Sequence, residues 1–144
     1  MTKRIIQIAN LIIRKAVERG DLITNLKLQK LLYYEQGYHL ACFNKPLFSE
    51  EVLAWQYGPV IREAYDAFKS FGDSSLEPQG SSFVFANKEE ESLFNEVFDA
   101  YNRFSASGLV ELTHQETPWK AAKVATNSVI TKESMKEFFK KKIA

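Results

Sequence analysis

Apolar residues along this chain recur mostly at three- and four-residue intervals, the spacing that puts side chains on one face of a helix. Ile5, Ile8, Ala9, Ile12, Ile13, Ala16 and Val17 form such a stripe, with Lys3, Arg4, Gln7, Arg14, Lys15 and Glu18 mostly opposite. The pattern predicts an amphipathic first helix that stops at Gly20, a residue suited to a left-handed cap. Thr24 reads as the N-cap of a second helix, with Leu28, Leu31, Leu32, Glu35, Tyr38, His39 and Cys42 on its core face. Gly37, mid-helix, costs about 1 kcal/mol relative to Ala, and the expected reason is close packing of another helix against it.

Asn44-Lys45-Pro46 breaks the pattern, and Leu47 to Tyr57 fits either a short helix from Ser49 or an extended piece ending at Trp55-Gln56-Tyr57. Gly58-Pro59 predicts the start of a third helix, because proline suits a first turn. Its stripe is Val60, Ile61, Ala64, Tyr65, Phe68 and Phe71, ending at Gly72. Asp73 to Asn87 reads as a loop. Within it, Ser82-Phe83-Val84-Phe85 has β-type composition and is the expected partner of Val52 to Trp55 in a small ribbon. Asn87 caps the next helix, whose stripe is Leu93, Phe94, Val97, Phe98, Tyr101 and Phe104. Ser105 or Ser107 caps a short helix through Leu109, Val110 and Leu112, Thr117-Pro118 opens another, and Thr131 begins one over about 131–143. The fold class expected is all-α (mainly α), a compact single-domain bundle of about six or seven helices over 1–144, with room for one two-stranded β ribbon.

Composition narrows the function classes. The chain has 144 residues, 19 Lys+Arg against 18 Asp+Glu, and a net charge of +1. That balance argues against bulk nucleic-acid binding, which needs a basic surface, and the lysines near the end, Lys140 to Lys142, suit the negative pole of a helix. The apolar runs are too short to span a membrane. One cysteine, Cys42, excludes an internal disulfide, and with no signal-peptide pattern at residues 1–8 the expected compartment is the cytoplasm.

Candidate chemistry is thin. The six glycines form no phosphate-cradling loop, and one Cys with two His is a poor supply of metal ligands, so no metal or other cofactor is expected. Cys42 reads as a buried, unreactive thiol. Glu35 and His39 lie four apart on a mainly apolar face, where they read as an acid/base pair in a cleft or, more often, as a buried pair fixing helix packing. His114 and Glu116 flank a turn before Trp119, which either fills the core or forms one wall of a polar pocket. If Glu35, His39, His114 and Glu116 converge, a small hydrolase or nucleotide-binding enzyme is the alternative. A DNA-binding autoregulator is a further one, with little support from the charge. No set of catalytic residues is assembled by spacing alone.

Several strings are specific when taken in order. Thr24-x-Leu26-Lys27-Leu28-Gln29-Lys30-Leu31-Leu32-Tyr33-Tyr34, Gln36-Gly37-Tyr38-His39-Leu40, Pro46-Leu47-Phe48 and Ala54-Trp55-x-Tyr57-Gly58-Pro59-Val60 are followed by Leu112-Thr113-His114 and Thr117-Pro118-Trp119-x-x-Ala122. Together they resemble the SocA-like antitoxin family, also called the Panacea domain, which includes phage-associated GepA-type proteins. The resemblance covers about 8–122. It implies a mostly helical domain without established catalytic residues, the antitoxin half of a type II toxin–antitoxin or prophage module. The implied partner is a cognate toxin protein. One member is described as a proteolytic adaptor that delivers its toxin to the ClpXP protease, and a ClpXP-type protease is the second partner the resemblance brings in. About twenty residues follow Ala122, so specificity is expected from the domain surface or the last helix.

Blocking a toxin by contact needs a patch of about 800 Å² anchored by a few aromatic or Arg side chains. The candidates left over from the helical stripes are Tyr33, Tyr34, Trp55, Tyr57, Arg62 and Trp119. The oligomeric state has no signature in the sequence.

Overall fold

The structure is a computed structural model that describes residues 2–143. Seven α-helices and a three-stranded sheet follow in the order α1 (Arg4–Glu18), α2 (Asn25–Phe43), β1 (Val52–Trp55), β2 (Gly58–Val60), α3 (Arg62–Phe68), α4 (Lys88–Asn102), α5 (Ala106–His114), α6 (Thr117–Lys123), β3 (Val129–Ile130) and α7 (Lys132–Ile143), with a 3-10 turn at Lys69–Phe71 after α3. The mainly α architecture is the one the periodicity predicts.

The caps lie where side-chain chemistry places them. Thr24 accepts from Lys27 N, Asn87 from Glu90 N, and Ser105 from Gly108 N. Each satisfies one of the donors that a helix start leaves without an internal partner. In α1 the buried residues are Ile5, Ile8, Ala9, Asn10, Ile12, Ile13 and Ala16, while Val17 is exposed. Burying each such isoleucine contributes about 1.5–3 kcal/mol.

Helix α2 is the axis of the molecule. It packs against α1, α3, α4, α5, α7 and β2, and 14 of its 19 residues are buried. A helix covered on all sides has no single core face, which corrects the one-sided stripe expected for it. Cys42, expected to be buried, is exposed at its end. Gly37 meets the expected close approach: a Cβ there would overlap the ring of Phe139 on α7.

The sheet departs from the expected ribbon. Strand β1 pairs antiparallel with β2 (Leu53 with Val60, Trp55 with Gly58) and with β3 (Val52 with Ile130), so β1 is central. Residues 82–85 form no strand. They run beside α1, held by Phe83 N donating to Gln7 O, with Phe83 and Phe85 packed edge to face at 4.8 Å.

Gly58-Pro59 likewise sits in β2 rather than opening a helix, and α3 starts at Arg62. Gln56-Tyr57 is a two-residue turn, and Gly58 has φ +107°, a value that favours glycine. Pro59 faces Ala54, whose own N–H donates to Ser128 O on the far side. Pro59 therefore sits where no N–H is required toward β1, as proline in an edge strand must.

Candidate partner-binding groove

The β1–β2 hairpin is fastened to α2 by polar side chains. Gln29 accepts from Ile61 N at 2.9 Å and donates to Asn25 Oδ1 at 2.9 Å, while Asn25 Nδ2 donates to Tyr65 O at 3.1 Å. Lys30 Nζ donates to Pro59 O at 3.3 Å and to Leu26 O at 3.4 Å. The Pro59 carbonyl points away from β1, so Lys30 satisfies a group the sheet cannot. Lys30 is fully buried, and burial pushes its ammonium down to about 7. Gly58 is what lets it lie there, because a Cβ at this position would run into Lys30 Cε and Thr113 Oγ1.

Between α2, this hairpin, α3 and the residues after α6 lies a groove of about 880 Å³. Trp55, Tyr57 and Tyr65 form its aromatic walls, with Lys30, Lys69 and Lys123 among its lining residues. Tyr57 is 61% exposed. Trp55 packs edge to face with Tyr65 at 5.1 Å. Its carbonyl accepts from Trp119 Nε1 at 2.9 Å, and Trp119 stacks on His114 at 4.1 Å. Trp55 and Tyr57 thus line the groove, while Trp119, stacked on His114, holds the hairpin through the Trp55 carbonyl. Arg62 is exposed outside the groove, 3.9 Å from Asp66 on its own helix.

Tyr33 and Tyr34 are not on the surface. Both are fully buried, and their hydroxyls donate to Glu116 Oε1 and Oε2, each at 2.9 Å. Tyr34 stacks on Tyr101 at 3.8 Å, and Tyr33 meets Phe139 at 5.6 Å. The pair was expected to be available for partner contact because it lies off the Leu28/Leu32 face. Helix α2 being buried all round removes that availability in this conformation. Burial pushes the Glu116 carboxyl up to about 7, against the two hydroxyls that pull it down.

The four polar candidates do not converge. Glu116 faces the tyrosines. His39 is held instead by the loop after α2 and by α4: Nδ1 lies 2.7 Å from Lys45 O and Nε2 lies 2.6 Å from Glu90 Oε1. The His39 hydrogen bond, supported by Asn87 and Lys45, holds the Glu90 carboxyl down at about 2. Glu35 is buried with Oε2 lacking a partner, and burial pushes its carboxyl well up despite Lys15. His114 Nε2 also lacks one. The expected Glu35–His39 pair is not formed. No group of three or more His, Cys, Asp or Glu is placed to hold a metal among the described residues.

Gln29, Lys30, Gln36 and Glu90 were missed as organising residues. Gln36 Oε1 accepts from Leu47 N at 2.7 Å, and its Nε2 donates to Phe48 O at 2.7 Å. The available signal was the apolar surround of α2: polar residues within a helix covered on every side must find buried partners.

Polar side chains thus fasten α2, the hairpin and α4 of this helical domain together, and an aromatic groove lies open beside them. The chain belongs to the SocA-like antitoxin family: residues 28–120 match the family model described as "Antitoxin SocA-like, Panacea domain". It is also 30% identical over 124 residues to "Antitoxin SocA" of Caulobacter vibrioides (strain NA1000 / CB15N), an alignment covering 78% of this chain and 66% of that protein. The chain thus spans just under two thirds of that relative. No solved structure matches it significantly.

Proposed function

We propose that this protein is a non-enzymatic antitoxin of a toxin–antitoxin or prophage module, which neutralises a partner toxin in the cytoplasm by direct protein–protein binding. Family membership across residues 28–120 is the observation that carries this reading. The geometry supports it, because Glu116 binds the two tyrosines, His39 meets Glu90, His114 stacks on Trp119 and Glu35 is buried without a polar partner, so the four do not share the pocket that the hydrolase alternative requires. Residues 1–144 act in this reading as one unit. The exposed face around Trp55 and Tyr57 is the proposed contact surface, with Arg62 beside it.

Co-expression with the product of each adjacent gene tests the reading, with toxicity and co-purification scored together. Rescue of a toxic neighbour with a stable complex is expected. No toxicity relieved and no complex formed would reject it. Delivery of the toxin to a ClpXP-type protease is an extension of the same proposal. It predicts that purified ClpXP degrades the toxin only when this chain is present, and equal degradation without it rejects the extension.

A further inference from the structure

The groove carries charge that the fold leaves unbalanced. Lys30, Lys69 and Lys123 line it against a single carboxylate, Asp73. Lys69 lies 3.8 Å from Asp66, but neither Lys30 nor Lys123 makes an ion pair among the described residues. Lys30 has three ammonium protons and two long hydrogen bonds, both to carbonyls. Burial lowers the Lys30 ammonium to about 7, so near neutral pH it is only partly charged, and an anion brought close would hold its proton on. Above this charge the walls are aromatic, and Leu26 and Tyr57 leave apolar surface open at the rim.

We infer that the groove is the receptor for an extended acidic segment of the partner protein, its apolar side chains lying on Trp55 and Tyr57 and its carboxylates facing Lys123 and the Lys30 charge beneath the floor. The inference rests on the antitoxin reading for there being a protein partner, and adds where it binds and by what chemistry. Charge selects the occupant. A neutral segment would cover the aromatics and leave the cations uncompensated, whereas carboxylates supply the missing anion in a half-enclosed site where attraction is stronger than in water. A nucleic acid would need a broad basic surface, and the chain has a net charge of only +1.

The test titrates the 15N-labelled full chain with the peptide N-acetyl-Leu-Glu-Leu-Glu-Leu-amide and with its Gln-for-Glu analogue. Indole N–H signals of Trp55 and Trp119 and backbone signals of the hairpin are followed. The acidic peptide is expected to shift these signals and to bind about tenfold more tightly than the analogue. Lys123→Glu, an exposed change, is expected to abolish that preference, and Lys30→Met to reduce it severalfold while the thermal midpoint shows the variant folded. Equal binding of the two peptides, no shift at millimolar peptide, shifts confined to another face, or a stronger response to inorganic phosphate or an oligonucleotide would each overturn the inference. A second arm repeats toxin rescue with Lys123→Glu, expected to be lost. If the wild-type chain rescues no neighbour, the antitoxin reading fails while the peptide titration still decides the groove.

Discussion

Phe139 occupies the space that Gly37 leaves open on α2. Phe139 reaches from there to Tyr33, Tyr34 and Tyr38, with ring centroids 5.6, 5.8 and 4.7 Å away. The absence of one methyl group thus sets where α7 lies.

Gly37→Ala follows directly from that contact. Alanine gains about 1 kcal/mol of helix propensity, but overpacking a filled site costs about 1–3 kcal/mol. The net expected is a loss of up to about 2 kcal/mol in chemical denaturation. Adding Phe139→Leu should recover part of the loss, and strict additivity of the two changes would show that they do not meet.

Glu116 makes stability depend on pH in a definite direction. Its folded-state value of about 7 lies above the ordinary 4.5, so the native state holds the proton longer than the unfolded chain. Its contribution is therefore complete below pH 4.5 and is lost as pH rises toward about 7. Glu116→Gln should remove that decline, read as the difference between variant and wild-type unfolding curves across this range. Tyr33→Phe, which deletes one donor to the carboxylate, should cost about 1.5–3 kcal/mol at neutral pH.

Lys30 predicts the opposite slope at higher pH. Its ammonium gives up its proton near 7 in the folded chain, against 10.5 ordinarily. Between these values the unfolded state binds more protons, so stability from this group rises with pH. Lys30→Met should abolish the rise, measured by denaturant midpoints at pH 7 and pH 10. A rise equal to the wild type's would show that Lys30 keeps its charge in the folded protein.

Glu35 is a buried carboxyl with an orphaned oxygen. Replacing such a group with an apolar side chain of similar size removes the penalty of an unsatisfied buried polar group, about 1–3 kcal/mol. Glu35→Met should therefore raise the thermal midpoint. A clear loss of stability would point to a role for the carboxyl that its contacts do not show.

Local features of the fold were legible in the sequence, and long-range ones were not. Thr24, Asn87 and Ser105 could be read as caps because a cap acts on an N–H three residues away. The stripes of α1 and α4 were legible because each helix buries one side. Helix α2 misled because it is buried all round, so Tyr33 and Tyr34 looked spare when their partner, Glu116, lies more than eighty positions along. Gly58-Pro59 fitted a helix start by local preference, and the pairing with Ala54 and Trp55 overrode it. The β composition of 82–85 was real, but β1 has its two edges taken by β2 and β3. Of the proposed anchors, Trp55 and Tyr57 line the groove, while Lys30, Lys69 and Lys123 lie in separate stretches of sequence and only the fold brings them to one groove.

Asn10 is a buried polar residue on α1 whose partners, Ser81 O and Gln79 N, lie about seventy residues later. During synthesis at roughly 5–20 residues per second, that separation is a wait of about 4–14 s. Throughout it the first helix can pack on α2 and α3 as they emerge, but its Asn10 amide has neither its acceptor nor its donor. For that interval a polar group on the buried face of α1 waits unpaired, so the first helix to be made reaches its final contacts only when the segment around Gln79 arrives.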